Sequence, residues 1–219
     1  NPNCSTIIMV MALKPIYDLA KIKRVIVSTY QAVSGAGKEG IDELDAQVRE
    51  HSEGREMTAN ILPSASAEKH YPIAFNLIPQ IDVFCDNLYT KEEMKMVNET
   101  KKIMEDYEMR ITATTIRVPV YRSHSESVNI ELEKEVDLGA MREALAKFPG
   151  VTVQDDPSKQ EYPMPLYTSE KDDVYVGRLR RDESCEKSYN MWVVGDQIRK
   201  GAALNTLQIA ETMIKNGWI

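Results

Sequence analysis

The stretch Ile22-Lys23-Arg24-Val25-Ile26-Val27-Ser28-Thr29-Tyr30 has the β-branched composition that predicts a buried strand. It leads into the turn Ser34-Gly35-Ala36-Gly37, after which a polar segment predicts a helix through about residue 50. Before the strand, residues 5–13 are almost entirely apolar and Pro15 follows them, which predicts a buried helix that begins near Cys4 and stops at the proline. The opening of the chain therefore predicts helix, strand, turn and helix in succession.

Alternating side chains further along predict the rest of a sheet. Val128, Ile130 and Leu132 are separated by polar residues, so a strand over 125–133 has one buried and one solvated face. A Thr90–Glu93 capping box predicts a helix to about residue 107. Further strands are predicted over 111–121, 174–181 and 191–195, and further helices over 138–148 and 201–216. Hairpin-linked strands with helices on one face describe an α+β domain with a mixed or antiparallel sheet.

Composition excludes several classes of function. The chain has 219 residues, 42% of them hydrophobic, and a net charge of −7, which provides no basic surface for nucleic acid and argues against adhesion to anionic membranes. Its three cysteines, Cys4, Cys85 and Cys185, form neither a disulfide framework nor a zinc motif, so a reducing cytoplasm is expected. With three histidines, a metal cluster is not expected. Neither a G-x-G-x-x-G motif nor a P-loop is present to hold a pyrophosphate.

Cys4 and His124 are the candidate reactive residues. Asn3 is a good N-cap residue, which places Cys4 in the first turn of a helix, where the helix dipole is expected to lower the pKa of the thiol. The alternative is a small buried residue at a helix start. His124 has the parity of Val128 on its strand and is expected to point inward as a general acid or base, or else to be a core histidine held by a backbone bond.

Arg117, Glu92 and Lys95 are candidate substrate ligands. Arg117 could grip a carboxylate with its fork, but a continuous strand would put it on the opposite face from His124. The two converge only if the chain bends after Pro119, and otherwise Arg117 is an exposed strand residue. Glu92 and Lys95 share a helix face, which is also the ordinary geometry of an exposed ion pair. The Ser34–Gly37 turn could present amide groups to an anion or a carboxamide, or could be only a turn.

Four segments together resemble aspartate-semialdehyde dehydrogenases of the bacterial type over essentially all 219 residues. In order they are Asn1-Pro2-Asn3-Cys4-Ser5-Thr6, then Ser28-Thr29-Tyr30-Gln31-Ala32-Val33-Ser34-Gly35-Ala36-Gly37, then Ile116-Arg117-Val118-Pro119-Val120 through His124-Ser125-Glu126-Ser127, and Lys200-Gly201-Ala202-Ala203-Leu204-Asn205 with Gln208-Ile209-Ala210-Glu211. The resemblance implies a catalytic and dimerisation domain like the C-terminal domain of glyceraldehyde-3-phosphate dehydrogenase over 1–200. It also implies that residues 201–219 pack on an NADP-binding Rossmann domain, which residues 1–219 do not include.

The resemblance also implies roles. NADPH-dependent reductive dephosphorylation of L-4-aspartyl phosphate to aspartate semialdehyde, on the route to lysine, threonine and methionine, would proceed through a thioester. Cys4 would be the nucleophile, His124 the acid/base, and Gln31 would orient the substrate. Arg117 would bind the substrate's carboxylate, Glu92 its amino group and Lys95 its phosphate, and Asn3 would border the substrate site. The nicotinamide would be bordered by Ser34, Gly35, Gly37 and Asn205. Phosphate would be the other ligand, and a homodimer or homotetramer is expected.

Three other readings stay open from the sequence. A sister acyl-phosphate reductase, such as N-acetyl-γ-glutamyl-phosphate reductase, would share the fold and the cysteine chemistry. A non-catalytic dimerising scaffold is the second alternative. It is supported by the fact that residues 1–219 do not include the nucleotide-binding half, so that this chain alone is expected to be inactive. A cysteine hydrolase has only Cys4 and His124 in its favour.

Overall fold

A single six-stranded sheet organises the chain. The computed structural model describes residues 1–219, and its strands are β1 (Ile22–Gln31), β2 (Arg110–Arg117), β3 (His124–Leu132), β4 (Val151–Val153), β5 (Val174–Arg181) and β6 (Ser188–Gly195). Their order across the sheet is β2-β1-β3-β6-β5-β4. The β1–β2 and β4–β5 pairs are parallel and the other three are antiparallel. The predicted α+β class with a mixed sheet is therefore confirmed.

The chain has six helices, several of which pack on the sheet face that forms the main core. They are α1 (Cys4–Leu19), α2 (Lys38–Ser52), α3 (Lys91–Ile103), α4 (Leu138–Lys147), α5 (Pro165–Thr168) and α6 (Leu204–Lys215). The main core joins Ile8 and Leu13 of α1 to Val25, Val128 and other inward residues of the central strands. On β3, Val128 is buried whereas Ser127 is exposed, so the predicted alternation holds. Burial of this continuous apolar layer is the main stabilising contribution to the fold.

A smaller core lies beside α2. Val33, Leu44, Leu62 and Ile73 belong to it. The segment between α2 and α3 has almost no regular structure, so polar side chains of α2 satisfy its backbone. Gln47 is fully buried, and its Oε1 accepts hydrogen bonds from the amides of Ile73 (2.8 Å) and Ala74 (3.0 Å). These bonds fix an irregular segment that would otherwise bury unsatisfied amides.

The structure departs from the sequence expectations at several element ends. Pro15 does not stop α1, which continues to Leu19 because Ile16, in the next turn, is buried in the core. β2 ends at Arg117 rather than near residue 121, and α3 ends at Ile103 rather than near residue 107. The three-residue strand β4 was not predicted. No helix in the structure is long and apolar enough to cross a membrane.

The C-terminal helix α6 makes little contact with the rest of the molecule. A π-helical turn over Arg199–Ala203 precedes it. None of its residues is buried, and Leu207 and Ile214 are 63% and 64% exposed. That α6 packs on a nucleotide-binding domain is still a prediction.

Candidate functional site

Four chain segments converge at one edge of the sheet. Gln31 and Arg117 are the last residues of the parallel strands β1 and β2 and lie opposite each other in register. His124 is the first residue of β3, which runs antiparallel to β1, so it lies at the same edge. The N-terminus of α1, with Cys4 as its first residue, lies over this edge. The candidate site is thus formed by the ends of β1 and β2 and by the starts of β3 and α1.

The chain bends between Arg117 and His124, as the convergence of these two residues requires. Residues 118–123 leave the sheet, and Ser123 adopts a left-handed conformation with φ 75°. The side chains of Arg117 and His124 come together beside Gly35. A Cβ built on it would lie 2.6 Å from Arg117 Nη1 and 3.4 Å from His124 Nε2. Any side chain at position 35 would therefore displace the guanidinium.

Cys4 is held by a well-capped helix start. The side chain of Asn3 accepts a hydrogen bond from the amide of Thr6 (3.1 Å), which confirms the expected N-cap. The amide of Asn3 in turn donates to Glu99 Oε2 at 2.7 Å. On the other side of Cys4, a Cβ built on Gly201 would lie 3.0 Å from Cys4 Cβ. A side chain at position 201 would therefore crowd Cys4.

The expected lowering of the Cys4 pKa is wrong for this structure. Burial raises the pKa of the Cys4 thiol to about 12, and the negative charge of Glu92 raises it further. Hydrogen bonds from Ser5 and the positive charge of Arg117 lower the pKa, but they do not offset these causes. The sequence argument considered the helix dipole alone, whereas loss of solvation dominates here. At neutral pH Cys4 is therefore a thiol.

Glu92 is a buried junction between α3, α1 and β1. Its Oε1 accepts hydrogen bonds from Asn3 Nδ2 (2.8 Å) and Gln31 Nε2 (3.4 Å). Lys95 Nζ lies 3.5 Å from Glu92 Oε2 and 3.2 Å from Asp82 Oδ2. Glu93 forms the predicted capping box with Thr90, which leaves Glu92 available for the site. The structure therefore brings Glu92, Lys95, Asn3 and Gln31 together rather than leaving an exposed ion pair.

Arg117 is a buried cation without an acidic partner. It is 3% exposed, its Nη1 donates to the carbonyl of Ala32 at 2.8 Å, and its Nε has no partner. Burial lowers the pKa of the guanidinium, while the charges of Glu92 and Cys4 raise it, although neither group ion-pairs with it. A buried guanidinium retains its charge and needs an anion to satisfy it. The site can therefore receive a carboxylate at Arg117.

His124 is fully buried and neutral. The amide of Ala32 donates to His124 Nδ1 at 3.1 Å, so the proton of the neutral ring is carried by Nε2. Nε2 has no protein partner. Burial, and then the positive charge of Arg117, hold the pKa of His124 well below its usual value. In this state His124 offers a hydrogen-bond donor to the site.

The Ser34–Gly37 turn does not offer its amides to a ligand. The amides of Ser34, Gly35 and Gly37 donate to the carbonyls of Tyr121, Ala32 and Ser34. Of the two alternatives the structure favours the simple turn, because the segment closes into a 3-10 helix over Val33–Ala36. Only its side chains, its carbonyls and the space above Gly35 and Gly37 can contact a ligand.

Asn205 is linked to the start of the chain. Its Nδ2 donates to Asn1 Oδ1 at 2.7 Å, and its Oδ1 accepts from Lys200 Nζ at 3.1 Å. Its carboxamide thus lies near the segment that carries Cys4.

Gln197 is a site residue that sequence reasoning missed. It is 3% exposed, its Oε1 accepts from the amide of Ser123 at 2.8 Å, and its Nε2 donates to Ser34 Oγ. It thereby ties the residue before His124 to the turn beside Arg117. The only sequence signal was its place in Gly195-Asp196-Gln197, polar residues directly after a buried strand.

Comparison with known proteins places the chain in a family. A family model described as semialdehyde dehydrogenase, dimerisation domain, matches residues 13–200. Aspartate-semialdehyde dehydrogenase of Aquifex aeolicus is 54% identical over 219 residues, which is 100% of this chain and 63% of that protein. The Bacillus subtilis protein of the same name is 51% identical over 98% of this chain and 62% of its own length.

Solved structures agree with this assignment. The crystal structure of aspartate semialdehyde dehydrogenase II from Vibrio cholerae superposes with a TM-score of 0.91 at 45% identity, covering 98% of this chain and 62% of that one. A second Vibrio cholerae structure, complexed with ASA, superposes equally well. The expected likeness to the C-terminal domain of glyceraldehyde-3-phosphate dehydrogenase is confirmed through these neighbours. The chain spans less than two thirds of the length of its relatives.

Proposed function

Because the chain belongs to the semialdehyde dehydrogenase dimerisation-domain family, we propose that it carries the acyl-transfer site of an aspartate-semialdehyde dehydrogenase. The observation that carries this proposal is the buried guanidinium of Arg117, which has no acidic partner and lies beside His124 at the edge occupied by Cys4. A substrate with a carboxylate and an electrophilic acyl group would satisfy Arg117 and present its carbonyl to Cys4.

The neighbouring charges fit the remaining groups of L-4-aspartyl phosphate. The carboxylate of Glu92 would take the substrate's ammonium group, since its partners Asn3 and Gln31 are uncharged and Lys95, 3.5 Å away and shared with Asp82, neutralises it only in part. Lys95, at 3.5 Å from Glu92, would attract the phosphate. Gln31 and Asn3 would border the acyl carbon. Opposite charges at both ends of a short substrate fix its orientation as well as its affinity.

The acylation step balances with the residues of this chain. Cys4 Sγ forms a bond to the acyl carbon, and the bond from that carbon to the phosphate oxygen breaks. The thiol proton leaves with the hydrogen phosphate, so a pKa of about 12 for Cys4 does not prevent the reaction. Nε2–H of His124 donates to the developing oxyanion, as expected of its tautomer. The acid/base role predicted for His124 would then begin as that of an acid.

NADP would approach the site beside Gly35 and Gly201. Gly35 and Gly201 keep side chains away from Arg117 and Cys4, which leaves room for a flat ring. Ser34, Gly37 and Asn205 would border the nicotinamide, and the chemistry that NADP supplies when bound is hydride transfer to the acylated carbon. Most of its contacts would lie outside these 219 residues. The family's description as a dimerisation domain supports self-association, and we propose a homodimer or a homotetramer.

The chain alone is expected to be inactive in the complete NADP-dependent reaction, but the acylation half-reaction uses no NADP and therefore tests the proposal with this chain. The purified chain is mixed with freshly prepared L-4-aspartyl phosphate, and released phosphate and the mass of the Cys4 peptide are measured. We expect one phosphate per chain and a hydroxylamine-sensitive adduct on Cys4. Cys85→Ser should behave like the unmodified chain, whereas Cys4→Ser should release none.

Two results would contradict the proposal. One is phosphate release that survives Cys4→Ser. The other is acylation by N-acetyl-γ-glutamyl phosphate in preference to aspartyl phosphate, which would assign the chain to the sister reductase. Absence of any acylation would favour a non-catalytic dimerising role.

A further inference from the structure

Glu126 is a buried acid with no assigned role. It is 0% exposed, and neither of its carboxyl oxygens has a hydrogen-bond partner. It lies two residues after His124 on β3 and therefore points to the same, inner face of the sheet. No lysine, arginine or histidine ion-pairs with it. An ionised carboxylate in such a place would be strongly unfavourable, so the side chain is an uncharged carboxylic acid with one proton to donate.

The strand register shows what Glu126 can reach. On β6 its neighbour is the apolar Val193, and on β1 its neighbour is Thr29. Directly opposite residues of antiparallel strands have Cβ atoms roughly 5 Å apart. In its present rotamer the Glu126 carboxyl group does not hydrogen-bond the Thr29 hydroxyl, but this spacing puts the hydroxyl within reach of a rotated side chain. Burial raises the pKa of Glu126 well above its usual value, in agreement with an uncharged group.

Thr29 connects this acid to the site. Its Oγ1 accepts a hydrogen bond from Gln31 Nε2 at 3.2 Å, and the same amide nitrogen reaches Glu92 Oε1 at 3.4 Å. The Thr29 hydroxyl retains its own proton, and Glu126, whose carboxyl oxygens have no partner in this structure, lies directly across the strand pair from it. Glu126, Thr29 and Gln31 thus lie in a row along the inner face, in which Gln31 is already hydrogen-bonded to Thr29.

We propose that Glu126 is a positioning residue, an uncharged carboxylic acid that hydrogen-bonds Thr29 and, through it, fixes the carboxamide of Gln31 for acylation of Cys4. This inference rests on the proposed acyl-transfer function. It assigns no contact between Glu126 and the substrate. Breaking the hydrogen bonds that link Glu126, Thr29 and Gln31 should slow acylation at saturating substrate. The half-saturating concentration should stay nearly unchanged, because the substrate's carboxylate is bound by Arg117.

Three variants test the row by single-turnover acylation with aspartyl phosphate. Glu126→Met keeps the length of the side chain but removes both hydrogen-bonding atoms, and we expect acylation roughly tenfold slower. Glu126→Gln keeps an uncharged donor and acceptor and should stay within about threefold of the unmodified chain. Thr29→Val should match Glu126→Met, and the double variant should be no slower than either single variant, because both act through one row.

Each outcome has a clear meaning. Equal losses in Glu126→Gln and Glu126→Met, an unchanged rate in Glu126→Met, or additive losses in the double variant would each overturn the proposal. Should Glu126→Met fail to fold, Thr29→Val and Glu126→Gln still decide it.

Infrared spectroscopy tests the protonation state of Glu126 independently of the proposed acyl-transfer function. The carbonyl band of a protonated carboxylic acid should be present at neutral pH and absent in Glu126→Gln. If that band is found but aspartyl phosphate acylates no variant, the proposed function fails while the uncharged state of Glu126 stands. If the band is missing in the unmodified chain, the positioning proposal fails even where acylation is observed.

Discussion

Replacing Glu92 by Gln should make Cys4 more reactive in the absence of substrate. The negative charge of Glu92 raises the pKa of the thiol, second only to burial. Removing that charge favours the thiolate, so the pKa falls. Glutamine keeps an oxygen that can accept the hydrogen bond of Asn3 Nδ2, now at 2.8 Å from Glu92 Oε1. The substitution therefore changes the charge with little change in shape.

The size of the effect follows from the position of Glu92. It bonds Asn3, the neighbour of Cys4, and Coulomb's law at an effective dielectric of about 20 makes the interaction of two such nearby charges on the order of 2 kcal/mol. Lys95, 3.5 Å from the other oxygen, offsets part of this. We expect a net fall of about one pKa unit. Since the thiol pKa starts at about 12, the thiolate fraction at every pH up to about 10 should rise about tenfold.

Alkylation by iodoacetamide measures that fraction directly. The rate at Cys4 is followed by peptide mass spectrometry between pH 7 and 10, with Cys85 and Cys185 as internal references. Glu92→Gln should alkylate Cys4 about tenfold faster and leave the reference rates unchanged, whereas Glu143→Gln, an exposed acid on α4, should change nothing. An unchanged Cys4 rate, or one as fast in the unmodified chain as at the reference cysteines, would refute the account of this pKa.

Three further predictions concern binding, packing and stability. Arg117→Met should raise the half-saturating concentration of aspartyl phosphate roughly hundredfold, as loss of about 3 kcal/mol of charge-assisted hydrogen bonding implies, in the acylation assay. Gly201→Ala should slow acylation, because its Cβ would lie 3.0 Å from Cys4 Cβ, yet thermal unfolding should shift little since alanine favours the helical turn. Gln47→Leu should lower the free energy of unfolding in urea by about 3 kcal/mol, because two buried amides lose their acceptor.

The sequence predicted features that depend on local order along the chain. The Thr90 capping box and the Asn3 N-cap follow from neighbouring residues, and both formed. Other features depend on distant partners. Gln197 meets Ser34 across the fold, and no local pattern in the sequence encodes that contact. The pKa of Cys4 belongs to this second kind, because its direction is set by how much solvent the finished site removes.

The charges around Cys4 lead to one more step. In the free chain burial and Glu92 keep Cys4 protonated, so the thiol is protected from oxidants and stray electrophiles, which react with the thiolate. In the proposed complex, the substrate's ammonium group would neutralise Glu92, and its phosphate would supply the acceptor for the thiol proton. We infer that the substrate itself activates the nucleophile. The pKa of Cys4, followed by the ultraviolet absorbance of its thiolate, should therefore fall when L-aspartate β-methyl ester, which carries the ammonium but no phosphate, is added to the unmodified chain. It should not fall in Glu92→Gln, where that charge has already been removed, and a fall of equal size in both would contradict the inference.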